Sequence, residues 1–251
     1  MRRIVTALCL SLAVAGSASA TDLEFARGVA QSDFHALVKD LGAALSYKNV
    51  APAAPLGILG FDVGLEAVGL DLGGSAAWNA ITGDKGSAFV VVPKIRARKG
   101  LPLDLDVGAF YSAIPSSNVQ LFGGELSWAV LNGGVALPAI GLRATYTKLV
   151  GVSELDVQTA GLDASISKGF LIFTPYAGAG VLWTDGKAKG KILNDPAFIA
   201  VNGGKPLSEE KIWTPRYFGG VKLSPFPLIG ITGEVEYSGV MTYSLKLGIS
   251  F

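Results

Sequence analysis

The sequence predicts an all-β fold: a transmembrane antiparallel up-and-down β-barrel of about ten strands, preceded by a short N-terminal helical segment. Three observations carry this. Residues 1–20 read as an export signal, about ten later segments alternate apolar with small or polar side chains, and no apolar face among them holds a charge. A strand of period two with one fully apolar face needs an apolar neighbour on that face. In a soluble sandwich that neighbour is a core; in a membrane barrel it is lipid.

The export signal has its usual three parts. Arg2 and Arg3 open it, Ile4 to Ala15 form an apolar stretch too short to span a bilayer as a helix, and Ala18-Ser-Ala20 supplies small residues for cleavage after about Ala20. The Arg pair lacks the surroundings of a twin-arginine signal, so Sec export is expected. Leu8 before Cys9 does not suit a lipoprotein site, and Cys9 is the only cysteine, so the mature chain is expected to hold no thiol, disulfide or lipid anchor. Removing Arg2 and Arg3 takes the 21 basic residues to 19, against 20 acidic ones, which gives no support to nucleic-acid binding. Glycine is frequent, at 33 of 251 residues, and charged residues make up 16%. No stretch beyond residue 20 reaches the roughly 20 apolar residues of a membrane helix, so the apolar character is dispersed over short segments.

The strands follow in order. Their apolar sets are Phe61/Val63/Leu65/Ala67, Phe89/Val91/Ile95/Ala97, Leu103/Leu105/Val107/Ala109/Tyr111, Leu126/Trp128/Val130 and Leu142/Ala144/Tyr146. Then come Leu162/Ala164/Ile166, Phe173/Ala177/Ala179/Val181/Trp183, Tyr217/Val221/Leu223, Ile229/Ile231/Val235/Tyr237 and Tyr243/Leu245/Leu247/Ile249/Phe251. The opposite faces carry Asp62, Glu66, Lys94, Arg96, Arg98, Asp104, Asp106 and Glu125, followed by Arg143, Asp163, Arg216, Lys222, Glu234, Glu236 and Lys246. A sandwich leaves these charges in water, whereas a barrel turns them into its lumen.

Two patterns favour the barrel. Connections near 99–102, 168–169 and 225–228 are short and those at 70–85 and 184–212 are long, as expected for periplasmic turns and outer loops; 112–118, 148–154 and 238–241 fit this less well. Aromatics also sort by height. With the first strand running outward, Phe89, Tyr111, Tyr146, Trp183, Trp213, Tyr217, Tyr237 and Tyr243 fall near the outer rim, and Phe61, Trp128, Phe173 and Phe251 near the inner rim. Such girdles suit bilayer interfaces, where a ring with one polar edge is stable.

The export signal, Thr174-Pro-Tyr-Ala-Gly-Ala-Gly180 and the terminal Ser250-Phe251 strand resemble bacterial outer-membrane β-barrel proteins of the broad OmpA-like group. The resemblance covers residues 56–251 and assigns no subfamily. It implies location in the outer membrane and insertion by the assembly machinery that reads the last strand, Tyr243, Leu245, Leu247, Ile249 and Phe251.

Residues 21–55 form a separate segment. Phe34, Leu37, Val38, Leu41 and Leu45 recur on one helical face, with Ser32 or Asp33 as N-cap and Ala51-Pro-Ala-Ala-Pro55 as the break before the first strand. The helix is expected either to pack against the periplasmic mouth or to plug the lumen. A helix with its side chains is about 10–12 Å across, so ten strands make a tight fit. Leu41 to Tyr47 also alternates, which keeps twelve as the alternative strand count.

The candidate chemistry is sparse. Barrel hydrolases rely on a histidine, but the only one here is His35, in the helical segment, so no enzymatic activity and no cofactor are expected. Asp104 and Asp106 share a face and suit either a cation or ion pairs; Arg96 and Arg98 on the preceding strand favour pairs. A hairpin register opposing Arg98 to Asp104 and Arg96 to Asp106, and another opposing Glu234 to Lys246, would make such pairs. Lys187, Lys189, Lys191, Lys205 and Lys211 lie in the long loop, as a solvated face or as contacts for lipopolysaccharide phosphates. Asn194-Asp-Pro196 and Asn202-Gly-Gly204 mark turns there, suggesting a small hairpin; Gly83-Asp-Lys-Gly86 reads as a turn, not a phosphate loop. Two functions remain: a structural or surface-interaction barrel with a largely filled, charge-lined lumen, or a narrow channel gated by the N-terminal segment.

Overall fold

The computed structural model describes residues 30–71, 89–114 and 118–251. The export segment with Cys9, the Gly83–Gly86 turn and most of the 70–85 connection lie outside them.

Ten antiparallel strands form a closed barrel: β1 (Phe61–Asp71), β2 (Phe89–Gly100), β3 (Leu105–Ala113), β4 (Gln120–Asn132), β5 (Ala139–Val150), β6 (Leu155–Ser167), β7 (Phe173–Ala188), β8 (Glu210–Phe226), β9 (Ile229–Tyr237) and β10 (Met241–Ser250). Each pairs with its sequence neighbours, and β1 pairs with β10 to close the ring, from Asp62↔Ser250 to Leu70↔Thr242. Phe61 and Phe251 finish the seam. Each donates its N–H to the other's carbonyl, at 3.0 and 2.9 Å, and their rings stack at 5.9 Å.

Burial alternates along the strands, but inside out. Val63, Leu65, Ile95, Leu126, Leu142, Leu162, Leu245 and Ile249 are exposed on the outer surface, while their polar neighbours are buried inside. A soluble sandwich would bury the first set, so that rival falls. Phe61, Phe89, Tyr111, Trp128, Tyr146, Phe173, Trp213, Tyr217, Tyr237, Tyr243 and Phe251 all stand on the exposed face, and Trp183 is half-buried opposite Trp213. Phe122, exposed and paired with Tyr111, belongs with them and was missed in the sequence.

One barrel end, the turn end, carries the connections 101–104, 133–138, 168–172 and 227–228; the other, the loop end, carries 72–88, 114–119, 151–154, 189–209 and 238–240. Within the longest described loop the expected hairpin is absent. Two short helices stand there instead, α2 (Gly190–Asn194) and α3 (Pro196–Val201). Asp195 caps α3 by accepting the Ala197 N–H at 2.8 Å, and Pro196 sits at the first helical position, where its missing N–H costs nothing.

The N-terminal helix α1 runs Gln31–Leu45. Its N-cap is Ala30, without a side-chain cap bond, so Ser32 and Asp33 lie inside the first turn and not at the cap. Leu41 and Leu45 continue the helical face of Phe34, Leu37 and Val38, and the alternation at 41–47 is therefore not a strand. The twelve-strand count falls with it.

Candidate functional site

Position along the barrel follows from the contacts of α1 and the chain after it. Gln31 bonds Ser208 in both directions, donating to its carbonyl at 3.2 Å and accepting its N–H at 2.9 Å, and it also bonds Glu210. His35 Nδ1 lies 2.7 Å from Glu210 Oε2. Glu210 begins β8, so the start of α1 sits at the loop end, opposite the end where β1 begins. Farther on, the Ala53 N–H donates to Ser167 Oγ at 3.0 Å and the Leu56 N–H to Asp106 Oδ1 at 3.1 Å, both at the turn end. Contacts of the chain before β1 thus run from the loop end to the turn end.

The interior has three levels. At the loop end Phe34, Leu37, Val38 and Leu45 of α1 share one apolar cluster with Val68, Leu70, Val92, Leu121, Leu149, Leu155, Val157 and Ile212 of the wall. Ile192, Phe198 and Leu207 from the loop above join it. Burying each such side chain is worth about 1.5–3 kcal/mol. Close approach depends on two glycines. A Cβ on Gly42 would lie 2.1 Å from Thr184 Oγ1, and one on Gly186 would lie 2.4 Å from Val38 Cγ2. Small residues at this contact let ten strands admit a helix that ordinary side chains would exclude.

The middle level is charged. Lys48 Nζ donates to Glu236 Oε1 and to the Ala43 carbonyl, each at 2.7 Å, and both members of the ion pair are 0% exposed in their side chains. Lys94 donates to the Ser46 carbonyl at 3.1 Å; Arg96 and Arg143 donate to the Lys48 carbonyl at 2.9 and 3.1 Å; Arg216 donates to the Tyr47 carbonyl. The N–H groups of Asn49 and Val50 both donate to the Glu234 carboxylate, at 3.1 and 2.8 Å. Successive N–H groups converging on an anion form a backbone nest. Val50 takes φ 36, in the left-handed region, and a β-branched residue holds that conformation only when its surroundings impose it.

Wall pairs complete this level. Arg96 bonds Glu66 at 3.3 Å and Glu125 at 3.0 Å, Arg98 bonds Asp106 at 3.1 Å, and Arg143 bonds Asp163 at 2.6 Å. Arg216 bonds Glu236 at 2.9 Å, and Lys246 bonds Asp62 at 2.8 Å. Of the fifteen charges the sequence assigns to the lumen, thirteen are buried. Lys222 is partly buried and donates to Ser250 Oγ at 2.9 Å. Asp104 is not on a strand face; it lies in the β2–β3 turn with φ 57.

Both expected registers are corrected. Arg98 opposes Gly108 and Arg96 opposes Phe110, while Lys246 opposes Thr232 and Glu234 opposes Ser244. Arg98 nevertheless reaches Asp106 along the diagonal, because Gly108 opposite it has no side chain; a Cβ there would meet Arg98 Cγ at 2.8 Å. Arg96 turns to Glu66 and Glu125 instead of Asp106.

Lys48, Tyr47 and Tyr176 were missed. Tyr176 donates to Glu234 Oε2 at 2.9 Å, and strand parity from Phe173 and Ala177 already turns it inward. Tyr47 places its ring 4.5 Å from the Arg96 guanidinium carbon and edge-on to Phe110 at 5.1 Å. The third level, at the turn end, is a cavity of about 290 Å³ bordered by Pro52, Pro55, Asp62, Arg98, Lys168 and Lys222.

Of the five lysines expected in the long loop, Lys187 falls at the end of β7 and Lys211 at the start of β8, and these two and Lys189 face carboxylates. Lys187 and Lys211 lie 3.2 and 2.9 Å from Glu209, and Lys189 pairs with Asp156 at 2.5 Å. Hydrogen bonds from Lys211 and Lys187 hold the Glu209 carboxyl below the usual range.

A closed antiparallel barrel with an apolar outer band, aromatic rims and a charged interior defines a transmembrane β-barrel protein. No protein-family model and no curated protein matches the chain. Among solved structures it is similar to Ail, the attachment invasion locus protein of Yersinia pestis, in complex with the heparin analogue sucrose octasulfate, at 15% identity over 76% of this chain and 97% of that one, TM-score 0.33. It is also similar to the N-terminal β-barrel domain of Pseudomonas aeruginosa OprF, at 14% identity over 76% and 97%, TM-score 0.35. A third is Neisserial surface protein A, at 10% identity over 76% and 95%, TM-score 0.30. These neighbours are outer-membrane β-barrels.

Proposed function

We propose that this chain is a non-enzymatic outer-membrane β-barrel whose lumen is closed by its own N-terminal segment, and that it acts as a structural or surface-interaction protein. The observation that supports this most is the placement of residues 46–50, which meet charged groups from β2, β5, β8 and β9 inside the wall. With α1 above that level and α2–α3 over the loop end, a solute would have to displace the segment to pass. Its partners under this reading are outer-membrane lipid along the apolar band, lipopolysaccharide at the outer rim and the assembly machinery that reads the terminal strand. Lys187, Lys189 and Lys211 are a weak lipopolysaccharide site, because each already faces a carboxylate.

Planar-bilayer recording of the full-length protein tests the reading. No steady conductance is expected. A high open conductance in the unmodified protein would replace it with the channel gated by the N-terminal segment.

A further inference from the structure

The threaded segment from Ser46 to Leu56 is held in an unusual way. Most of the polar wall groups that meet it address its main chain. Lys94, Arg96, Arg143 and Arg216 all donate to backbone carbonyls of residues 46–48. Glu234 accepts two consecutive N–H groups, Ser167 accepts that of Ala53, and Asp106 accepts that of Leu56. Beyond Lys48 the segment offers little else: Asn49 spends its side-chain amide on its own Ala51 carbonyl at 2.8 Å, and residues 51–55 are alanines and prolines. Side chains are recognised chiefly at Lys48, through Glu236, and at the Tyr47 ring, which meets Arg96 and Phe110.

We propose that the middle and turn-end lumen is a binding track for a non-helical polypeptide main chain, with the protein's own N-terminal segment as its resident ligand. The inference rests on the plugged-barrel reading and adds the chemistry of recognition. Cationic side chains supply donors for carbonyls on one stretch, and carboxylate and hydroxyl oxygens supply acceptors for N–H groups on the next. Each bond is to a group that every residue other than proline carries. The track therefore tolerates changes of sequence after Lys48, fixes the course of the chain, and carries its upstream end to the loop end of the barrel. Hydrogen bonds to charged groups are also the stronger class, so few of them are needed to hold a non-helical segment.

Amide exchange of residues 49–56 in the full-length, detergent-solubilised protein tests this. The triple variant Asn49→Ala, Ala53→Ser, Ala54→Ser should exchange within about threefold of the unmodified chain, whereas Glu234→Gln should speed exchange by about tenfold or more. Ser167→Ala provides a milder wall change that should release the Ala53 amide and leave the barrel assembled, as read by its heat-modifiable gel mobility. If the triple variant loosens the segment as much as the wall variants do, the main-chain track is wrong and the plug stands. If neither wall variant speeds exchange, the track is likewise wrong. Unprotected amides at 49–56 in the unmodified chain would remove both the track and the plug.

Discussion

Replacing Lys48 by Met removes a buried cation while keeping the length of its stem. Lys48 and Glu236 are 2.7 Å apart and share no exposed surface. Removing one member of such a pair strands the other without water, at a cost of about 3–5 kcal/mol. Glu236 would keep Arg216, which reaches it at 2.7 and 2.9 Å, and the Ser238 hydroxyl at 3.1 Å. The lower figure therefore applies, near 3 kcal/mol, which raises the population of the released segment on the order of a hundredfold. Glu236→Gln alone should loosen the segment by a similar route, since Lys48 then retains only Ser46 Oγ and the Ala43 carbonyl as oxygen partners besides the new amide. The double variant should recover part of the loss, with a coupling of about 1–3 kcal/mol. Amide exchange of residues 46–50 measures the cycle, and single-channel events in planar bilayers report the opening. A coupling below about 0.5 kcal/mol would refute the view that this pair locks the segment.

Three further outcomes are expected. Gly42→Val drives a side chain into Thr184, costing about 1–3 kcal/mol of helix docking, and adding Thr184→Gly restores it; exchange of the α1 amides checks both. Deleting Phe251 removes the two seam hydrogen bonds and the Phe61 stack, so the yield of assembled, heat-modifiable barrel should fall; an unchanged yield would detach the assembly signal from this residue. Glu209, held below its ordinary value of 4.5 by Lys211 and then Lys187, contributes loop order that is present above about pH 4.5 and is lost as pH falls through its lowered value. Titrating the Glu209 carboxyl by NMR should place its midpoint below 4.5.

The outer face of the strands was legible because their central stretches meet lipid: no charge occurs in the apolar sets, and outward charges such as Lys99, Lys148 and Lys211 stand near strand ends. Strand parity then pointed to thirteen charges that are buried, but not to Lys48, which precedes the strands, nor to Asp185. Partners were not legible. The true β2–β3 register differs from the expected one by four residues and the β9–β10 register by two, and even shifts preserve the face of every side chain while changing what it meets. The β2–β3 difference arises at the turn, where Asp104 leaves the strand with φ 57 and the strand begins only at Leu105.

The place of the N-terminal segment was half legible for a different reason. The apolar stripe of α1 demands an apolar partner, and a mouth or a lumen satisfies that demand equally as long as only outward faces are inspected. The deciding signal lay on the inward faces near the loop end. Val68 and Leu70, Val92, Leu121, Leu149, Leu155 and Val157 point inward, on strands whose opposite face meets lipid. A water-filled lumen gives such residues no reason to be apolar, so their presence calls for an apolar occupant at that level and no other. The described helix of matching length and stripe is α1. Below it the inward faces turn charged, and the chain leaves the helix, because a helix spends its own carbonyls and N–H groups on internal bonds whereas a non-helical segment leaves them free to be bound. The change from apolar to charged wall therefore marks the depth at which the N-terminal segment stops being a helix, between Leu45 and Ser46.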